Sequence, residues 1–150
     1  MHVTETFSSL QGEGLLVGTP SFFIRTSGCN LRCAWCDTPH TSWLPEGRRR
    51  PVDELVREAA TAALRHVVIT GGEPMLQREI GPLTAALAGA GHHITMETAG
   101  TVEADVVCDL LSLSPKLSSS DPTGPWRARH RARRTDLAPL CSLLERFPEH

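Results

Sequence analysis

The chain has 150 residues, a formal net charge of -2, and 40% hydrophobic and 21% charged residues, values close to those of ordinary globular domains. That length suits one domain, 1–150, able to bury most of its unfolded surface in a single core. No apolar run approaches the roughly 18 residues of a membrane span, and the small net charge argues against nucleic acid or another polyanion as partner. The opening MHVTETFSSLQGEG lacks a charged segment followed by an apolar one, so no secretion signal is expected and the protein is read as cytoplasmic. In that reducing compartment five cysteines, three of them clustered, point to metal or redox chemistry rather than disulfides. Positive charge is concentrated in Arg48, Arg49 and Arg50 and in RARHRARR (127–134).

In chain order, SFFIRT (21–26) reads as a buried strand, broken by Gly28, after which the cysteines fall in a loop. PVDELVREAATAALRH (51–66) places Val52, Leu55, Val56, Ala59 and Ala63 at helical spacing behind Pro51. VVIT (67–70) is a strand buried on both faces, ended by Gly71 and Gly72, and Pro74 opens a helix running to about Ala90. HITMET (93–98) and VVCDLLSLSP (106–115) are two further strands. The stretch from Lys116 to Asp136 has no clear period and reads as loop, followed by a short helix in LAPLCSLLERF (137–147). Strands alternating with helices predict a parallel α/β sheet with right-handed crossovers.

In such sheets and barrels ligands gather at the carboxyl ends of the strands. Those ends carry the cysteine loop, TGGEP (70–74), ETAGT (97–101) and SLSPK (112–116), so four unusual stretches are expected on one rim.

Cys29, Cys33 and Cys36 bring three thiols onto one short loop, close enough for one soft metal centre. A 4Fe–4S cube normally takes four cysteine thiolates, so three leave one iron open. Zinc is the rival, because His40 follows Cys36 by four positions and completes a Cys3His set. The spacing alone does not decide between them. A third reading treats the three as small buried hydrophobes.

CNLRCAWCD (29–37) resembles the cluster-binding signature of the radical S-adenosylmethionine superfamily. Taken in order, QGEG, GCNLRCAWCDT, TGGEP, ETAGT and SPK are similar to the 7-carboxy-7-deazaguanine synthases of the 7-deazapurine (queuosine) pathway, over about Phe7 to Pro122. The resemblance implies a partial (β/α) TIM-like barrel of the radical SAM type, shortened at the C-terminus, since the chain stops at His150 where a further strand is expected.

The same resemblance implies that S-adenosylmethionine chelates the open iron through its amino and carboxylate groups and is cleaved to a 5'-deoxyadenosyl radical. That radical takes hydrogen from C6 of 6-carboxy-5,6,7,8-tetrahydropterin; the ring contracts and loses ammonia. Thr70, Gly71, Gly72 and Glu73 are implied to line the methionine portion of S-adenosylmethionine, and Glu97, Thr98, Ser114 and Lys116 to meet its sugar or carboxylate. For the substrate, Arg25 at a strand end matches a carboxylate with two parallel hydrogen bonds; the alternative is a surface ion pair. Gln11 and Glu13 accept from ring N–H groups while Gly12 and Gly14 let the backbone approach. The Thr38 hydroxyl is implied as a ligand of Mg2+, which keeps several waters; Asp37 is not assigned to the metal. A one-electron donor such as flavodoxin and a homodimer are expected as partners.

A radical activating enzyme for a glycyl-radical partner would share CNLRCAWC and GGEP without needing QGEG or CDT, and a Cys3His zinc module would need none of the other motifs. Cys108 and Cys141 read as core or surface residues, His92 and His93 as solvent-facing, and RARHRARR as a solvated basic loop.

Overall fold

Hydrophobic strand segments stack side by side here because each can bury both faces. In the computed structural model, which describes residues 1–148, Pro20–Thr26 (β2), His66–Gly71 (β4), His93–Thr98 (β5) and Leu110–Leu113 (β6) pair in parallel, neighbour to neighbour. The end of the expected 1–150 domain lies outside the described residues.

The sheet is nevertheless mixed, which corrects the all-parallel expectation. A nine-residue strand, His2–Leu10 (β1), runs antiparallel to β2 from Val3↔Thr26 to Leu10↔Pro20, and Arg48–Arg49 (β3) pairs antiparallel with β1. β1 escapes a hydrophobicity reading because Val3 is its one buried residue and Phe7 is half-buried; backbone pairing holds it in place. The order is β3-β1-β2-β4-β5-β6. With β3 and β6 as edges, the described residues form an open, partial barrel of the α/β type.

Alternation sorts the core. Phe22, Ile24, Val67, Ile69, Ile94, Met96 and Leu111 face a helical layer that contributes Leu55, Ala59, Leu83, Leu87 and Leu143. Phe23, Val68 and Thr95 are also buried but alternate with these, so they point to the inner, opposite face.

The helices depart from their sequence pattern where tertiary contacts intervene. Val52–Ala62 (α2) stops short of residue 66, with Ala63 in the left-handed region at φ 53°, because His66 is already paired with Ser21 in the sheet. The helix expected from Pro74 to Ala90 splits into a single 3-10 turn, Pro74–Leu76, and Ile80–Gly89 (α3). Gln77 breaks it: its backbone is extended, its Nε2 donates to the Ser27 carbonyl at 2.7 Å, and its Oε1 accepts from His2 N at 2.9 Å. The fourth predicted strand shrinks to Leu110–Leu113, since Val106 packs in the core and Val107 N donates to Thr84 Oγ1 of α3 at 3.1 Å.

Beyond Pro115 the largest correction appears. RARHRARR is no loop: Arg127–Thr135 (α4) is a helix, followed by Ala138–Arg146 (α5). The other basic run is neutralised rather than free. Arg48 and Arg49 pair with Glu54 and Glu79 at 3.8 and 3.2 Å, and buried Arg50 binds Glu54, Glu58 and Thr6. His93 is half-buried within β5, its ring 4.6 Å from that of His66, and His92 Nδ1 lies 3.2 Å from the Leu64 carbonyl, so neither simply faces solvent. Among the described residues no helix is long and apolar enough to cross a membrane.

Candidate active site

The parallel strands end together. Arg25 and Thr26 of β2 sit opposite Thr70 and Gly71 of β4, and Glu97 and Thr98 of β5 sit opposite Ser112 and Leu113 of β6. The loops leaving these ends, with the turn after β1, enclose one cavity of about 530 Å3, so the four stretches share one rim as expected.

The cysteine loop leaves β2 through Gly28, whose N donates to Thr41 O at 2.8 Å across the base of the loop, and it is docked against the next loop by Glu73 N, which donates to Gly28 O at 2.9 Å. Thr41 belongs to Pro39–Ser42 (α1), one turn of helix closing the loop. Cys29, Cys33 and Cys36 all line the cavity. Leu31 N donates to Cys29 Sγ at 3.4 Å, and Cys36 Sγ lies 3.1 Å from Ser42 Oγ. Burial pushes the Cys29 thiol up to about 12, and burial likewise raises Cys33 against the opposing pull of Lys116. Without a cation beside them, Cys29 and Cys33 therefore stay as thiols.

Three thiols on one cavity wall are a donor set that suits an iron–sulfur cube, which takes its cysteines on separate irons, whereas a Cys3His zinc site would need His40 beside them. His40, Cys108 and Cys141 do not line the cavity; Cys108 is half-buried and Cys141 exposed on α5. No fourth cysteine among the described residues is at hand.

Of the other predicted residues, Gln11, Gly12, Glu13, Arg25, Thr38, Thr70, Gly71, Gly72, Glu97, Thr98, Ser114 and Lys116 also line the cavity, while Gly14 and Glu73 do not. Several are already engaged. Gln11 Nε2 donates to Glu97 Oε1 and Gly12 N to Gln11 Oε1, each at 2.8 Å. Arg25 Nε donates to Glu5 at 2.8 Å and its guanidinium lies 5.5 Å from the centre of the Phe7 ring, which stacks on Phe23; its Nη groups make no hydrogen bond among the described residues. Thr38 Oγ1 donates to Asp37 Oδ1 at 3.2 Å, and Lys116 Nζ donates to Ser114 Oγ at 2.8 Å.

Glu73 lies beneath the floor, fully buried. It accepts from Thr98 Oγ1 at 2.7 Å, Ala99 N at 3.0 Å and Met75 N at 3.3 Å, and so ties the β4 loop to the β5 loop. Burial raises its carboxyl while these donors oppose the rise. Glu73→Gln sets an amide N–H against a backbone donor, and leaving one buried donor unpaired costs about 1–3 kcal/mol. The expected result is a Tm several degrees lower by calorimetry; an unchanged Tm would show that the carboxylate does not bind the two loops together.

Sequence reasoning missed Phe23, Trp35, Ser42 and Ser112 on the cavity wall. Phe23 had a signal in strand alternation, as the inward neighbour of Ile24; Ser42 and Ser112 had none. Trp35 sits in the cysteine motif itself, its Nε1 donating to Ser119 O at 2.9 Å and its ring 5.5 Å from Lys116 Nζ.

Parallel strands of a mixed sheet, ending in a three-cysteine loop and glycine-rich turns at one rim, define a class, and the family model of the radical SAM superfamily matches residues 23–136. The chain belongs to that superfamily, and membership implies a 4Fe–4S cluster used with S-adenosylmethionine. Within it, the chain is 50% identical over 147 residues to a 7-carboxy-7-deazaguanine synthase of Rhodopirellula baltica, covering 95% of this chain and 57% of that protein. It is 49% identical over 154 residues to the enzyme of the same name from Halobacterium salinarum, covering 97% of this chain and 60% of that one. The crystal structure of QueE from Escherichia coli superposes with a TM-score of 0.67 at 28% identity, covering 99% of this chain and 77% of that one. The chain thus spans less than two thirds of the curated relatives' length.

Proposed function

We propose that this chain carries the 7-carboxy-7-deazaguanine synthase reaction, the ring contraction of 6-carboxy-5,6,7,8-tetrahydropterin with loss of ammonia, within a single domain. The observation that carries the reading is the meeting of three thiols, and no fourth cysteine, with the glycine turn of β4 and the polar ends of β5 and β6 in one cavity. Half-identity to two enzymes of that name supports it.

In this reading Cys29, Cys33 and Cys36 hold the cluster. When bound, cluster and S-adenosylmethionine supply the hydrogen-abstracting 5'-deoxyadenosyl radical. Thr70, Gly71 and Gly72 offer close backbone to the methionine portion, with Glu73 positioning them from below. Thr98, Ser114 and Lys116 take the sugar and carboxylate. Glu97 bridges to Gln11, so the S-adenosylmethionine side and the substrate side of the pocket are joined by one hydrogen bond. Gln11, Gly12, Glu13 and Arg25 orient the flat pterin, with Phe23 forming an apolar wall beside it. Gly14, at φ 73°, lets the turn reverse rather than touching ligand. Thr38 contributes to Mg2+ binding at the substrate, and a flavodoxin-type protein supplies the electron. The chain's main task is orientation and exclusion of water, since a misplaced radical reacts elsewhere.

The test is anaerobic turnover: reconstituted protein with the pterin, S-adenosylmethionine, reductant and Mg2+ should yield the deazaguanine acid. Reductive cleavage of S-adenosylmethionine with no product from the pterin would contradict the substrate. Arg25→Ala should keep the iron and raise KM by about tenfold or more, the worth of a charge-assisted pair; an unchanged KM would remove Arg25 from the substrate site.

A further inference from the structure

The cysteine loop holds itself only in part: Gly28 N donates to Thr41 O at 2.8 Å at its base, Cys36 N to Cys33 O at 3.3 Å, and Arg32 Nη1 to Cys29 O at 2.7 Å and Leu31 O at 2.6 Å. Further order is imposed from outside, by residues 117–134.

His130 is the centre of that contact. It lies on α4 amid exposed arginines yet is 1% exposed. Its Nδ1 accepts from Arg32 N, the backbone amide just before Cys33, at 3.0 Å. A backbone N–H can only donate, so Nδ1 bears the lone pair and the neutral ring carries its proton on Nε2. Nε2 stands 3.0 Å from Ser120 Oγ, whose own hydroxyl donates to Leu117 O at 2.6 Å. Every proton in this relay has one direction. Ser120 is fully buried and its carbonyl accepts from Ala34 N at 2.9 Å, while Ser119 O takes the Trp35 indole N–H. On the far side Arg134 grips Asp121 with two bonds, 2.5 and 3.0 Å, and the Arg32 guanidinium lies 4.9 Å from the centre of the Trp126 ring. Burial holds the imidazole below its ordinary value, in keeping with the neutral form.

We infer that His130 is a positioning residue for the cysteine loop: by accepting the Arg32 amide it fixes the peptide joining Cys29 to Cys33, and so sets how far apart the thiols stand before any metal arrives. α4 thereby acts as a clamp on the loop. Retention of the metal centre depends on it, because a loop ordered in advance loses less entropy on binding. The inference rests on reading Cys29, Cys33 and Cys36 as cluster ligands, and its test separates the two.

His130→Leu keeps bulk but cannot accept, whereas His130→Asn offers Oδ1 near the place of Nδ1. In the metal-free chain, amide exchange at residues 32–35 should quicken about tenfold or more in His130→Leu relative to core strands, and return most of the way in His130→Asn, matching the cost of one buried unpaired donor. In loaded protein, iron loss to a chelator should quicken about tenfold in His130→Leu and little in His130→Asn. Exchange and iron loss equal to the parent in His130→Leu, or His130→Asn as impaired as His130→Leu, would overturn the inference. Should His130→Leu fail to fold, Ser120→Ala removes the acceptor of Nε2–H and takes its place in both measurements: faster exchange and iron loss support the clamp, and parent-like values overturn it. A parent chain that binds no iron would overturn the cluster reading, while the exchange result on metal-free chain still decides the role of His130.

Discussion

Cys33→Ala is expected to bring iron binding from about four atoms per chain to near none, and turnover to below about a thousandth of the parent, because the chemistry belongs to the cluster and not to a side chain. Cys33 is the middle ligand of the proposed set and buried, with its carbonyl held by the Trp43 indole N–H at 3.0 Å. Loss of this thiolate leaves two, with no cysteine among the described residues to replace it, since neither Cys108 nor Cys141 reaches the cavity. The variant should fold, because a small residue replaces a small one and the backbone contacts of the loop remain. Iron analysis and anaerobic turnover check this. Iron retained at the parent level would mean that the three cysteines are not the ligands, and Cys108→Ala and Cys141→Ala, expected to be silent, would then be the next variants to assay.

Gly72→Ala is expected to act nearly as strongly by a different route. A Cβ at 72 would stand 2.2 Å from Gly28 O, 2.6 Å from Gly28 C and 2.7 Å from Thr41 O. All three are backbone atoms, so no side chain can swing aside. The methyl must drive the β4 turn away from the cysteine loop, straining the Glu73 N to Gly28 O bond that docks them and the Gly28 N to Thr41 O bond at the base of that loop. Overpacking of this kind costs about 1–3 kcal/mol and strained hydrogen bonds add to it, so a Tm lower by about 10 °C follows. Surviving folded protein should turn over about a hundredfold more slowly, since displacement near 1 Å at a reacting site has that effect. Gly89→Ala is the control: a Cβ there meets nothing within 4 Å, and in a helix alanine is favoured over glycine. Equal behaviour of the two variants would show that contact between the loops does not matter.

How much of this was legible in the sequence follows from what each residue answers to. The parallel strands were readable because Phe22, Val67 and Ile94 answer to burial alone, and the rim followed from the rule that loops gather at strand ends. β1 was invisible, since a strand made of Thr, Glu and Ser is held by its backbone partners and not by a hydrophobic face. The break at Gln77 could not be foreseen either: its side-chain amide binds residues 50 and 75 positions away. His130 is the sharpest case. Composition places it in a solvated arginine run, and its burial is explained by hydrogen bonds to Arg32 N, 98 residues away, and to Ser120 Oγ. Likewise the bonds by which Glu73 ties the β4 loop to the β5 loop could not be read from residue type or motif, because they join residues 25 and 26 positions apart.

A cluster held by three cysteines and completed by S-adenosylmethionine underlies every functional role assigned above. Low-temperature electron paramagnetic resonance of the reduced, reconstituted protein, recorded with and without S-adenosylmethionine, tests it most directly. A cube with an open iron should show a spectrum that changes when the sulfonium compound binds, and the change should saturate at one molecule per chain. A spectrum indifferent to S-adenosylmethionine at any concentration would mean that every iron is already closed by the protein, and would contradict the open corner.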